Sequence, residues 1–424
     1  MLMSSIFKPV FSAGPVIGGP IASSQWMPLS LDLSSATFAG PHVDEKRALT
    51  ITAVFRAVSL VSEAVAMLPL VVMQKDGDRR ERVEDHPLNE LFAYPNDLMN
   101  SVDLRSTTQA HALQYGNGYQ NIQRTASGQP VKLWPLLPDR TRLVGMDGMG
   151  GDRELVYVTS IDGEQHVIDP ADVAHVRGLS FDGIRGYSPL QLARQGLGLA
   201  LALEEYGSKF FRNDAKSGGV IEHPGPLSQP AQERLRKAWN AQSGLGHAHR
   251  VKVLEEGMKF NATSIPPEDA QFLMTRTFQV EEIARLYGIP LHMMQSQAKS
   301  TSWGSGIAQM SLGFLIYTVM PWLLRWEQEL GRKLLTDQER DSGMYLRHNV
   351  NALLRSDPAT RAAFYTAALN SSTGWMTRTE VRALEDLNPD DVENAVPSAP
   401  FAPPAPSEEP VEDDEPEDDE SAAD

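Results

Sequence analysis

The sequence of 424 residues contains no cysteine, which excludes disulfide bonds and thiolate metal ligands. No apolar run is long enough to cross a bilayer, and glycine and proline interrupt the apolar N-terminus, so we expect neither a membrane span nor a secretory signal.

Basic residues are fewer than acidic ones, 38 against 55. Eleven of the acids lie in residues 407–424, a segment without a basic residue; the rest of the chain carries −6 of the net −17. This charge does not favour tight nucleic-acid binding, which relies on Lys and Arg displacing phosphate counterions.

The motifs of common catalytic sites are also missing. There is no G-x-x-x-x-G-K-[ST] phosphate loop, no H-E-x-x-H helix and no G-x-S-x-G elbow. His247 and His249 form an H-x-H pair on a glycine-rich turn, but no third ligand is near in the sequence. We therefore predict no catalytic residue, no metal and no cofactor.

The first half of the chain predicts helices followed by a β unit. Residues 1–45 are rich in Gly, Pro and Ser and are expected to form a flexible arm. An amphipathic helix follows from Thr50 to Pro69, then a hairpin turning at Asp76-Gly77, a short helix before Pro95, and a helix capped by Ser101 and ending at Gly116. Short β-prone runs over residues 117–180, separated by Asp-Gly and Gly-rich turns, predict a small antiparallel β unit.

The second half predicts two helices on either side of an insert. Ser188 and Pro189 suit a helix start, and this helix should run to about Asn213; its glycines at 196, 198 and 207 indicate close packing. Residues 216–264 predict a compact α/β insert ending in a hairpin over 249–265. The next helix ends at Gly288 and Pro290. The two helices should therefore lie side by side beneath the insert.

The remaining segments predict a polar loop, a long helix and a helical C-terminal region. Pro321 should kink the long helix. A strand and two short helices follow, the second capped by Thr377, and the Pro-, Asp- and Glu-rich residues from 389 to 424 should be disordered. The chain is thus predicted to be α+β and mainly helical.

The order of these segments resembles the portal (head–tail connector) proteins of tailed bacteriophages, in the branch common among long-tailed siphophages. The likeness rests on motifs spread over residues 50–390: Pro95-Asn96, YGNGY (115–119), LWPL (133–136), GYSPL (186–190), VEEIARLYGIPLHMM (280–294), WLLRWEQELGRKLL (322–335) and TEVRAL (379–384). Each motif alone is weak, but their order and spacing are specific.

The resemblance implies a ring, typically of twelve subunits, at one vertex of the procapsid. It implies the following regions: a wing (46–187, with 306–350), stem helices (188–215 and 265–289), a clip (216–264), a tunnel loop (290–305) and a crown (351–388). It also implies these partners: double-stranded DNA passing through the channel with weak, sequence-independent contacts, the terminase motor, head–tail connector (adaptor) proteins, and the major capsid or scaffold protein. The protein would lie in the host cytoplasm during assembly and at the portal vertex of the virion afterwards.

Candidate site residues follow from this correspondence. The tunnel loop would present one cation, three hydroxyls and one large side chain to DNA: Lys299, Ser300, Thr301, Ser302 and Trp303. An ordinary helix–helix loop with Trp303 buried is the alternative. On the stem, the basic residues would either line the channel or bridge neighbouring subunits: Lys209, Arg212, Arg276 and Arg285. In the clip, the candidates for partner contact are Arg234, Lys237, Trp239, His247, His249 and Arg250, with Trp239 equally suited to a core.

Two other functions remain open from the sequence. An enzyme of unknown chemistry would use the β unit and its acidic residues, and would need a pocket with converging titratable groups. A membrane-associated pore would use the apolar runs 197–203 and 314–320, although both are too short to span a bilayer.

Overall fold

A computed structural model describes residues 36–147, 153–212, 219–241, 257–262, 269–294, 305–350, 358–370 and 373–385. The chain divides into two compact units, Met1–Val350 and Asn351–Asp424. The helices of the first unit are, in chain order, α1 (Glu45–Ala48), α2 (Thr52–Ala66), α3 (Pro87–Ala93), α4 (Ser101–Tyr115), α5 (Pro189–Leu192), α6 (Arg194–Arg212), α7 (Gln229–Ala241), α8 (Asp269–Tyr287), α9 (Ser305–Phe314), α10 (Met320–Leu334) and α11 (Asp337–Asp341). Its strands are β1 (Leu70–Asp76), β2 (Arg79–Arg82), β3 (Asn117–Arg124), β4 (Pro130–Leu136), β5 (Thr141–Asp147), β6 (Arg153–Ile161), β7 (Glu164–Ile168), β8 (Val173–Arg177), β9 (Gly219–Glu222), β10 (Lys259–Ala262) and β11 (Met344–His348).

The core of the first unit is built on α2 and α4, which pack against each other. The predicted apolar stripe of α2 is buried: Val54, Val58, Val61 and Val65. The helix at 101–115 has its N-cap one residue earlier than predicted, since the side chain of Asn100 accepts from Asp103 N at 2.9 Å. Asn and Ser cap equally well, so the sequence alone did not separate the two positions.

The predicted hairpin at Asp76-Gly77 is present and belongs to a three-stranded sheet of order β11–β1–β2. Strand β11 comes from almost 270 residues further along the chain and pairs antiparallel with β1, opposite Leu70 to Gln74. One face of the sheet is buried, through Val72, Leu346 and His348, while β2 is fully exposed.

The predicted antiparallel β unit is two sheets rather than one. Strands β4–β3–β8 form the first and β5–β6–β7 the second. They share an apolar cluster that contains Tyr119, Leu136, Tyr157, Ile168 and Val173. Gly145 lies within β5 opposite Leu155.

In the insert, β9 and β10 pair antiparallel with each other, although α7 lies between them in the sequence. Strand β10, the second strand of the hairpin predicted over 249–265, thus pairs with a strand that precedes α7, and the hairpin itself stays a prediction. Residues 251–256, its expected first strand, lie outside the described residues.

The helix predicted from Ser188 is divided at Ala193 into α5 and α6, with Ser188 as N-cap and Pro189 at the first position. Helices α6 and α8 contact each other, as the sequence order required. Gly198 is closely packed, since a Cβ there would lie 2.6 Å from Thr37 Oγ1, but Gly196 has open space around it. Gly196 is therefore not closely packed within this chain, contrary to the prediction.

The long helix consists of α9, a π-helical turn over Leu315–Val319, and α10. Pro321 lies in the first turn of α10. A proline has no N–H and its ring collides with the carbonyl four residues earlier, so the wider π turn accommodates it without ending the helix.

In the second unit, α12 (Pro358–Ala368) and α13 (Arg378–Leu384) are the described helices. Thr377 and Glu380 form the predicted cap: Thr377 N donates to the Glu380 carboxylate at 2.7 Å, and Glu380 N donates to Thr377 Oγ1 at 3.2 Å. The same hydrogen bonds lower the pKa of Glu380.

Candidate functional site

The predicted tunnel loop follows the C-terminus of α8, where a close contact fixes the backbone. Gly288 adopts φ +66°, the left-handed conformation that ends many helices. Thr318, in the π turn of the long helix, donates from Oγ1 to the Gly288 carbonyl at 2.6 Å. A Cβ on Gly288 would lie 2.8 Å from that same Oγ1. Helix α8 is therefore joined to the long helix at its C-terminal end; we name this contact the loop-base lock, formed by Gly288 and Thr318.

Residues on both sides of the lock are also held. Tyr287 is buried and donates from its hydroxyl to Leu113 O at 3.3 Å, and burial raises its pKa. Ile289 and Met294 are buried, and His292 Nε2 lies 3.5 Å from Ser311 Oγ on α9. Residues 295–304 are thus preceded by a packed segment and followed by the start of α9.

The predicted loop residues Lys299, Ser300, Thr301, Ser302 and Trp303 lie outside the described residues. The structure therefore describes the base of the loop.

Three of the four predicted stem cations have described side chains, and all three are exposed and lie beside an acid of the same chain. Lys209 Nζ is 2.6 Å from Glu205, one turn earlier on α6. Arg276 on α8 lies 3.8 Å from Glu204 on α6 and so bridges the two helices, while Arg285 pairs with Glu282. The side chain of Arg212 is not among those described.

Among the predicted clip residues, Arg234 and Lys237 are exposed on α7, and Arg234 Nε donates to Pro230 O at 3.3 Å. Trp239 lies on α7, but its side chain is outside the described set, as are His247, His249 and Arg250.

Two of the motifs that carry the family likeness interlock. Asn117 Oδ1 accepts from Gly186 N at 2.8 Å, and Asn117 Nδ2 donates to Gly186 O at 2.7 Å. Ser188 Oγ donates to Gln114 O at 2.6 Å. A Cβ on Gly116 or Gly186 would collide with backbone of the other motif. YGNGY and GYSPL therefore form one backbone joint at the start of α5.

A buried polar network, not foreseen from the sequence, continues from this joint. His175 Nε2 lies 2.9 Å from Asn117 Oδ1, its Nδ1 lies 3.0 Å from the Tyr157 hydroxyl, and its backbone N donates to Glu329 at 3.1 Å. Burial lowers the pKa of His175 to about 3, so the ring is neutral at neutral pH. The four residues of this network come from β3, β6, β8 and α10, so only the tertiary fold could bring them together.

Three further motifs take part in similar contacts. Leu133 N donates to Pro95 O at 2.8 Å, and Asn96 Nδ2 donates to Leu133 O at 2.7 Å. Trp326, from the long helix, is fully buried and donates from Nε1 to Gln109 at 2.8 Å. Several of the segments that carry the likeness thus hold distant parts of the fold together.

Two further kinds of site are absent from the described part of the chain. It contains no group of three metal-ligating side chains, and no helix long and apolar enough to span a membrane.

Comparison with known proteins gives a family. The family model described as "Phage portal protein" matches residues 52–386. The chain is 36% identical over 388 residues to the "Probable portal protein" of Streptomyces phage phiC31, covering 88% of this chain and 83% of the relative. It is 34% identical over 352 residues to the "Portal protein" of Enterobacteria phage HK97, covering 82% and 81%.

Among solved structures, a chain from the neck of an empty gene transfer agent (GTA) particle, computed with C6 symmetry, has the same fold. The TM-score is 0.57 at 25% identity, over 84% of this chain and 96% of the other. The α+β fold, with its stem-like helix pair and long broken helix, is that of a phage structural protein. The chain belongs to the phage portal protein family.

Proposed function

We propose that this chain forms a closed ring at one vertex of a procapsid and serves as a non-enzymatic conduit through which double-stranded DNA enters and later leaves. The family match across residues 52–386 carries the proposal, since it spans the described fold and not one isolated motif. A relative of the same fold occurs in a particle neck computed with C6 symmetry, which fits a ring of six or twelve copies. We propose twelve, and a location in the virion at the portal vertex after assembly in the host cytoplasm.

Within the ring, α6 and α8 would form the stem around the channel. Their described cations each lie beside a carboxylate of the same chain, and this pairing weakens their attraction for phosphate. Weak and repeated contact suits a channel, because tightly held DNA could not move through it. Residues 46–187 and 306–350 would form the wing, and residues 351–388 the crown, which would face the capsid interior. The major capsid or scaffold protein would be a further partner of the ring.

We place the tunnel loop at residues 290–305, projecting from the loop-base lock. A fixed base supports this assignment, because a loop that contacts moving DNA needs both its ends held in place. Repetition around the ring would make Lys299 a ring of cations. The insert 216–264 would be the clip, presenting Arg234 and Lys237 to the terminase motor during packaging and to adaptor proteins afterwards.

Electron microscopy of the purified full chain tests the ring directly. We expect closed rings of one uniform subunit number in negative stain and in native mass spectrometry. Monomers alone, at high concentration and also after co-expression with the capsid protein, would refute the proposal.

The loop assignment has a separate test. Replacing Lys299 and Trp303 by alanine should leave the rings intact and reduce the amount of DNA packaged or retained. Lys46→Ala, which removes one exposed cation far from the loop in sequence, is the matched control and should package normally. Full-length packaging by the double variant would exclude these residues from a role in DNA contact, without affecting the proposal of a ring.

A further inference from the structure

The loop that joins β8 to α5, residues 178–187, is held in one conformation by its own hydrogen bonds; we name it the β8–α5 loop. Asp182 Oδ1 accepts from Ile184 N at 2.7 Å, which fixes the tip of the loop. Tyr187 N donates to Leu179 O at 2.9 Å, which ties its two ends together. A loop fixed in this way loses little conformational freedom when it binds a partner.

This loop presents large apolar side chains to solvent. Leu179 and Phe181 are each 62% exposed. Phe181 is nevertheless held in place, because its ring lies edge-on to Tyr187 with the ring centroids 5.1 Å apart. The half-buried Trp322 of α10 lies beside the base of the loop, since a Cβ on Gly178 would be 3.6 Å from its indole ring. Fixed aromatic side chains that stay exposed on a folded protein are typical of binding surfaces.

A groove at the other end of α10 is also apolar and open to solvent. Helix α3, the β3–β4 hairpin and the C-terminal end of α10 line it, and we name it the α3 groove. Its volume of about 500 Å³ falls within the range of roughly 300–1,000 Å³ that binding pockets have. Leu88, Leu91 and Leu334 are buried in its lining. Tyr94 and Val131, also in the lining, remain 75% and 47% exposed.

The two cations of the α3 groove are engaged within the fold. Arg124 Nε donates to Asp172 at 2.9 Å, and the other nitrogens of the guanidinium donate to backbone carbonyls. Lys333 Nζ donates to Pro170 O. The groove therefore offers apolar surface to a partner rather than free cations.

One acid of the groove and one cation of the loop have opposite charges and no ionic partner among the described residues. Glu339 lies 3.1 Å from His86, but the exposed Glu90 forms no salt bridge in this part of the chain. The exposed Arg185 of the β8–α5 loop forms none there either. An exposed pair of this kind contributes little affinity, but it favours one orientation of the contact.

The loop and the groove lie at opposite ends of α10, so they cannot meet within one copy of the chain. Trp322, beside the loop, and Leu334, in the groove, are twelve residues apart, about 18 Å along the helix. The strands give the same order. Strand β8 leads into the loop at Arg177, opposite Asn117 at the start of β3, whereas the groove lies beside Arg124 at the end of β3.

We infer that the β8–α5 loop of one copy docks in the α3 groove of the next copy, with Leu179 and Phe181 against Tyr94 and Val131. The inference rests on the proposed ring and adds the surfaces through which its subunits meet. A cyclic ring needs two different surfaces on each copy, each contacting the other one on a neighbour. A fixed apolar loop and an open apolar groove, placed apart on one chain, meet that requirement.

The lack of native cysteine allows a direct test by disulfide cross-linking of the full chain. Phe181→Cys with Val131→Cys in one chain should give a ladder of covalent oligomers after oxidation. Each single variant should stay monomeric in the same non-reducing gel, because a head-to-tail contact does not bring identical positions together. Phe181→Cys with Leu137→Cys is the matched control and should give no ladder. Leu137 is also 47% exposed but lies six residues after Val131, about 20 Å along β4.

Ring assembly measures what the contact contributes. Phe181→Ser should raise the protein concentration needed for rings by at least about tenfold in native mass spectrometry. Phe38→Ser, which removes a 98% exposed phenylalanine from another surface, is the control and should assemble normally. Arg185→Glu should weaken assembly, and Glu90→Arg in the same chain should restore part of it. Circular dichroism should show all variants folded, since the replaced side chains are exposed.

The outcomes separate this inference from the proposed function. If the unaltered chain forms no rings, both fail. If it forms rings, but the double-cysteine chain gives no ladder or the Leu137 control gives an equal one, the inference is wrong and the ring stands. Normal assembly by Phe181→Ser would also overturn it. A cysteine at Val131 that is shielded from alkylation in the monomer would show that another segment of the same chain fills the groove, and would exclude docking by a neighbour.

Discussion

Alanine at Gly288 is expected to destabilise the protein through two separate effects at the loop-base lock. The backbone there has φ +66°, which costs about 1–2 kcal/mol for a residue with a Cβ. The new Cβ would also lie 2.8 Å from Thr318 Oγ1, so the hydroxyl must move and its 2.6 Å hydrogen bond to Gly288 O is lost. An unsatisfied, part-buried carbonyl adds about 1–3 kcal/mol. The expected loss for Gly288→Ala is therefore about 2–5 kcal/mol.

The two effects separate in a double-mutant cycle. Thr318→Ala alone removes the hydroxyl and should cost about 1–3 kcal/mol. In that background Gly288→Ala meets no hydroxyl and has no hydrogen bond left to break, so its cost should fall to the backbone component. We expect a coupling free energy of about 1–3 kcal/mol between the two changes.

Urea unfolding followed by tryptophan fluorescence measures each free energy, and Gly77→Ala is the matched control. Gly77 has φ +58°, and no atom lies within 4 Å of the position that a Cβ would take there, so this variant isolates the backbone effect. Its cost should equal that of Gly288→Ala in the Thr318→Ala background. Additive losses within about 0.5 kcal/mol would refute the lock. A coupled loss, together with intact rings and reduced packaging, would connect the lock to the loop above it.

Three further predictions concern the buried joints. Burial lowers the pKa of His175 to about 3, below its unfolded value near 6.5, so the unfolded state binds the proton first as pH falls. The contribution of His175 to stability should therefore be complete above about pH 6.5 and decline toward about pH 3. His175→Gln should flatten that part of a pH–Tm profile. Trp326→Phe should lower stability by about 1–3 kcal/mol, because Gln109 loses its donor in a fully buried site, whereas Trp322→Phe, at a half-buried position, should cost less in the same melting experiment. Asn117→Ala should lower the melting temperature and speed amide exchange at Gly186, whose N–H loses its acceptor; unchanged exchange there would contradict the joint between the two motifs.

The motifs that pointed to the family have a common physical basis. Asn117 with Gly186, and Asn96 with Leu133, are places where two backbone segments meet and a side-chain amide bonds to one of them or to both. Such contacts admit few residue types, because a Cβ collides or a buried polar group is left unpaired. They could be noticed as motifs in the sequence, but their pairing could not, since each joins segments far apart in the chain.

Local signals were sufficient for most of the helices and for several of their ends. The valine stripe of α2, the Ser188-Pro189 start, the Thr377–Glu380 cap and the stop at Gly288 depend on residues within a few positions of one another, and the structure contains all of them. The break at Ala193 and the open space around Gly196 depend on neighbours from elsewhere in the fold, and the sequence did not indicate them.

Helical periodicity, capping and motif spacing are local properties, so the amino-acid sequence was enough to predict the element order, the lack of common catalytic motifs and the correspondence to a portal protein. Three features needed the folded chain: β11 completes the sheet of β1, Thr318 holds the end of α8, and the β8–α5 loop and the α3 groove lie at opposite ends of α10. The first depends on residues about 270 positions apart, where strand register and packing determine which side chains meet.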